Sequence, residues 1–128
     1  WGSFDLAVTR FSGRRAPERE KADSITREAY SHECSSAGFW PGSGGVSGPA
    51  FYSYTSPAPQ GYSAYRVLPP AAFYHTALAE FVLMYDEIRQ TASPKAALTD
   101  FLQSTYEAGA NLGNWDRAAL EYPPIPEF

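Results

Sequence analysis

The sequence predicts an α+β domain: an antiparallel sheet of about four strands, covered on one face by one long C-terminal helix. Three observations predict it. In the first half, apolar residues alternate with a period of two, as half-buried strands do. After Ser93 they recur at i, i+3 and i+4, as on a helix with one buried face. The order is strands first and helix afterwards, which is the α+β pattern rather than alternating β and α.

Residues 3–11, SFDLAVTRF, set Phe4, Leu6 and Val8 on one face and Asp5, Ala7 and Thr9 on the other, which is a strand. Residues 12–23, SGRRAPEREKAD, are charged and broken by Pro17, and read as a solvated loop. SITREAY could open a helix, but YSHECSSAGFW is rich in serine, glycine and aromatics. That composition suits a strand better than a helix, so a strand is expected over about 28–38. PGSGGVSGP at 41–49 is a loop. AFYSYT at 50–55 is a short aromatic strand, and residues 56–70 form a Pro-punctuated loop.

EFVLMYDEI alternates well enough for a strand at 80–88; a helix over 76–90 is the alternative. Ser93 then offers an N-cap and Pro94 the first helical position. Leu98, Phe101, Leu102, Thr105 and Leu112 define the buried face of a helix ending near 111–113. NWDRAALE adds a helical turn. The tail at 122–128, YPPIPEF, holds three prolines and is expected to run extended.

The chain has 128 residues, of which 44% are hydrophobic and 16% aromatic. This suffices for the core of one domain. A net charge of −4 argues against nucleic-acid binding, which needs a basic face, and against docking to an anionic membrane. No run approaches the ~18 apolar residues of a bilayer span. The start has neither the basic nor the apolar region of a signal peptide. One cysteine rules out a disulfide framework, so a cytoplasmic protein is expected. The first residue is Trp1 rather than methionine. The expectation is therefore one domain over 1–128 that forms the C-terminal portion of a longer chain.

Candidate chemistry gathers around AYSHECSSAGFWPG. His32 and Cys34 lie at i and i+2, on one face of a strand but about 6.6 Å apart along it, so a thiol–imidazole pair would need a bulge. His32 and Glu33 are the catalytic candidates. Adjacent strand residues point to opposite faces, so these two do not readily share an ion. His32 and His75 are the metal candidates, without any HExxH or CxxC spacing. Among the carboxylates Glu28, Glu33, Asp86, Glu87 and Glu107, Glu107 stands out for sharing a helical face with Gln103 at i, i+4, and a solvated helix face is the reading preferred for it. PGSGGVSGP lacks the lysine of a phosphate-binding loop. The aromatics of the middle third suit either a core or a pocket wall. Trp40, Tyr52, Tyr54, Tyr62 and Tyr74 are the ligand-binding candidates.

FWPGSGG with AFYSYTSPAPQGY, then FLQSTYEAGANLGNWDRAALE, and at the start WGSFDLAVTRFSGRRAP and REAYSHECSSAGFWPG, resemble an uncharacterised bacterial family, the domain-of-unknown-function family 5996. The resemblance runs along essentially the whole chain. It implies a further N-terminal half, rich in strands and tryptophan, and implies no particular activity or cofactor. The chain departs from the family pattern at Cys34, where an aliphatic residue is common, and at Met84, where a proline is common.

The leading expectation is a small-molecule-binding domain with an aromatic-lined pocket, with His32 and Glu33 near its mouth. The alternatives are a hydrolase-type enzyme, metal-assisted, using His32 with groups from the missing N-terminal half, and a structural interaction domain that docks through its Pro-rich tail. The expected partners are a small molecule and that N-terminal half, with no nucleic acid and no membrane.

Overall fold

The computed structural model describes residues 4–18 and 23–122. Five antiparallel strands form one sheet: β1 (Leu6–Arg15), β2 (His32–Trp40), β3 (Ala50–Ser56), β4 (Phe73–His75) and β5 (Glu80–Met84). Their order is β1-β2-β3-β5-β4. The fifth strand is β4, three residues long, a length too short for alternation to reveal. The expected strand, loop and helix order otherwise stands, with shifted ends.

β1 runs on to Arg15, past the expected end at 11. Its register with β2 shifts between Phe11 and Arg15, and Gly13 takes φ +88° there, a conformation open to glycine. A bulge thus carries the strand through what reads as a loop. The strand expected from 28 begins instead at His32. Before it lies α1 (Ser24–Ala29), whose N-cap Asp23 accepts from the Thr26 N–H at 2.7 Å. The expected strand at 80–88 is divided. β5 stops at Met84, and α2 (Tyr85–Arg89) follows. The Tyr85 N–H still bonds the Pro49 carbonyl, 3.0 Å off and in register with the Ala50–Met84 pair, but proline has no N–H to return the bond, and the ladder ends there.

The long helix α3 (Pro94–Leu112) starts as expected, with the Ser93 hydroxyl accepting from the Ala96 N–H. It packs on β3 and reaches β2. Phe101, Ala108 and Ala97 on α3 meet Phe81, Leu83, Ile88 and Tyr62 in the main core. α4 (Arg117–Leu120), capped by Asp116, follows. On the opposite face of the sheet the glycine-rich loop folds back, and Val46 packs with Ala50 and Val82. Among the described residues no helix is long and apolar enough to cross a membrane. Residues 123–128 of the expected extended tail lie outside the described residues.

Candidate functional site

Strand parity decides which side chains can meet. On the helix side, three cross-strand rows follow from the register. Leu6, Phe39, Phe51 and Leu83 form the first; Val8, Ala37, Ser53 and Phe81 the second; Arg10, Ser35 and Thr55 the third. The middle of this face is made of small residues, Ser35, Ala37 and Ser53. α3 covers β3 but leaves β1 open, so Leu6 and Val8 remain 75% and 67% exposed. The result is a groove of about 270 Å³ between β1 and α3. Its floor is Ala37 and Ser53, and its walls are Leu6, Val8, Phe39 and Phe51 from the sheet and Leu98, Leu102 and Tyr106 from α3.

Arg10 closes one end. Its guanidinium carbon stands 4.4 Å from the centre of the Tyr106 ring, a cation–π contact. The Tyr106 hydroxyl donates to Glu121 at 3.0 Å, and Glu121 also accepts from Arg117 Nε at 2.6 Å. Burial, then the Glu121 carboxylate, holds the Tyr106 phenol above its ordinary value. The Arg117 bond draws the Glu121 carboxyl below its own. Glu121 bonds Arg117, and the Arg10 charge also acts on it, but Arg10 makes no ion pair among the described residues.

Beneath α3, the buried hydroxyls of Ser53, Thr55 and Tyr62 have no partner at full hydrogen-bond geometry among the described residues, though Thr55 and Ser53 stand close enough to act on the Tyr62 phenol. They lie near one another, and burial pushes the Tyr62 phenol up to about 12. Ser53 is both one of these hydroxyls and part of the groove floor.

The expected aromatic pocket is divided by the sheet itself. Trp40, Tyr52 and Tyr54 lie on the face away from α3. There Trp40 meets Tyr52 edge-on at 5.4 Å, and Tyr52 stacks on Tyr54 at 6.3 Å. The Tyr52 hydroxyl donates to Asp5 at 2.6 Å, and the Tyr54 and Tyr30 hydroxyls pair at 3.2 Å. Burial and these partners raise both the Tyr52 and Tyr54 phenols. Beside them Glu80 is pushed up to about 7, first by burial and then by the Asp5 charge. Glu80, Tyr54 and Tyr30 line a hollow of about 380 Å³. Tyr62 and Tyr74 lie on the helix side, in edge-on contact with each other and with Phe81 inside the core.

The structure does not bring the histidines together. His32 opens β2 and His75 ends β4. Three strand spacings of ~4.8 Å separate their strands, ~14 Å in all. His32 Nδ1 pairs with the Ser31 hydroxyl at 3.0 Å, and His75 Nδ1 accepts from the Leu78 N–H at 3.2 Å. Glu33 accepts from the Ser12 hydroxyl at 2.7 Å and from Arg14 Nε at 2.8 Å, an ion pair that ties β1 to β2. Among the described residues no three His, Cys, Asp or Glu side chains cluster as metal ligands do.

Sequence reasoning passed over Arg10, Ser35, Leu98, Leu102 and Tyr106 as site residues, and Asp5 and Glu80 as neighbours of the tyrosines. A signal for the first existed: Arg10 continues the Phe4, Leu6, Val8 face and places a cation at the end of an apolar row.

Neither the curated proteins nor the solved structures contain a match to the chain. A family model does match, over residues 1–122. The resemblance read from the motifs therefore holds, and the chain belongs to the family of unknown function DUF5996.

Proposed function

We propose that the domain binds a small molecule, and that the seat is the groove between β1 and α3. One observation carries the reading: small residues at the centre of the sheet leave an apolar hollow that α3 roofs on one side only. Its volume lies near the lower end of the ~300–1,000 Å³ common for ligand pockets, which suits a ligand of modest size. The aromatic lining comes from Phe39, Phe51 and Tyr106 rather than from the Tyr52–Tyr54 pair. The single cysteine supports a cytoplasmic setting.

A filling variant tests it. Ala37→Leu places a larger side chain on the groove floor. Binding of an apolar fluorophore, followed by its emission, is expected to fall at least about tenfold, a loss of ~1.4 kcal/mol, while the melting temperature holds. Unchanged binding in the variant, or none in the parent protein, overturns the proposal.

The exposed β1 favours a second reading, an interaction domain. Among the described residues β1 is an edge strand of the sheet, and the outer backbone groups of an edge invite strand addition. The N-terminal half implied by the family resemblance is the partner this edge would take. Light scattering of the full-length protein and of this chain checks it. A monomer in the former and self-association in the latter are expected. A chain that stays monomeric at high concentration counts against it.

A further inference from the structure

Resting on the groove being the ligand site, we propose that its ligand is an amphiphilic monocarboxylate, with its chain on the apolar rows and its carboxylate on Arg10. The register orders the groove by polarity. The first row, Leu6, Phe39 and Phe51, is apolar; the third, Arg10 and Ser35, is polar. Four residues separate the two ends, about 13 Å along the strand, which an extended medium-length acyl chain spans.

The polar end is built for one anionic group. A guanidinium offers five N–H donors in one plane, matched to the two oxygens of a carboxylate. The centre of the Tyr106 ring lies 4.4 Å from the central carbon of the Arg10 guanidinium, a contact with the charge, and among the described residues the guanidinium makes no ion pair. The nearest acid on the helix side, Glu121, is held by Arg117. Ser35, directly opposite Arg10 in the register, adds a hydroxyl on the same groove wall. One guanidinium and one hydroxyl balance a single negative charge; a phosphate dianion calls for more cations than the groove lining holds. The apolar end has no polar side chain to satisfy a second headgroup.

Calorimetry with decanoate and 1-decanol, both below their aggregation limits, tests this on the whole chain. The parent protein is expected to bind decanoate about ten- to a hundredfold more tightly than decanol, the range of a charged hydrogen-bonded contact. Arg10→Gln is expected to abolish that preference and keep decanol binding, and Arg10→Lys to retain part of it. Ala37→Leu is expected to weaken both ligands alike. Equal binding of the two ligands by the parent protein overturns the carboxylate anchor and leaves the groove reading standing. A preference that survives in Arg10→Gln does the same. Failure of the parent protein to bind either ligand overturns both.

Discussion

Glu80 shows how burial at a single residue turns into a pH effect. Its carboxyl titrates near 7 in the folded chain, against ~4.3 for a free glutamate. Between these values the folded state keeps a proton that the unfolded state has lost. Stability therefore falls as pH rises through this window, and the penalty is complete above 7. Because the side chain is only partly buried, solvent screening reduces the effect to about 1 kcal/mol. Glu80→Gln is expected to gain that amount at pH 8 and nothing at pH 4. Melting curves of the two proteins across this range check it; parallel pH profiles would show that Glu80 is not desolvated. The residue was illegible beforehand because EFVLMY reads as alternation. The sequence does not reveal that its carboxyl is partly buried and near the Asp5 charge.

At the scale of elements, α3 depends on small residues as much as on large ones. Gly109 lies against the Thr55 side chain so closely that a Cβ there would collide with it. Gly109→Ala sets two effects against each other. Helix propensity favours alanine by ~1 kcal/mol, and overpacking a tight contact costs ~1–3 kcal/mol. The contact is expected to win, for a net loss of up to about 2 kcal/mol by urea denaturation. Thr55→Ala is expected to relieve it, so that the double variant is more stable than the two single losses predict. A stabilised Gly109→Ala protein would show that α3 has room to shift. The periodicity of Leu98, Phe101, Leu102 and Thr105 made the helix legible. The role of Ala108 and Gly109 at the sheet did not show, because small residues carry little hydrophobic signal.

Across the whole molecule, strands before helix was enough to read the architecture. The boundaries slipped where one local preference overrode another. Asp23 capped a helix ahead of β2, Gly13 bulged β1 onward, and Pro49 had no N–H to carry the β3–β5 ladder past Tyr85. The site was less legible. His32, Glu33, Trp40, Tyr52, Tyr54, Tyr62, Tyr74 and His75 drew notice for their chemistry. Their placement depends on which face and which strand each occupies, and that follows only from register. The Gly109–Thr55 contact also bears on entry to the groove proposed as a ligand seat. Backbone-close packing there, and the Arg14 guanidinium bonded to the Gly113 carbonyl, pin the C-terminal end of α3 to β3 and β1. If the groove takes the proposed ligand, these anchors beside Tyr106 favour a roof already in place before the ligand arrives. Entry is then a single bimolecular encounter with a preformed shape, its observed rate linear in ligand concentration and without a plateau.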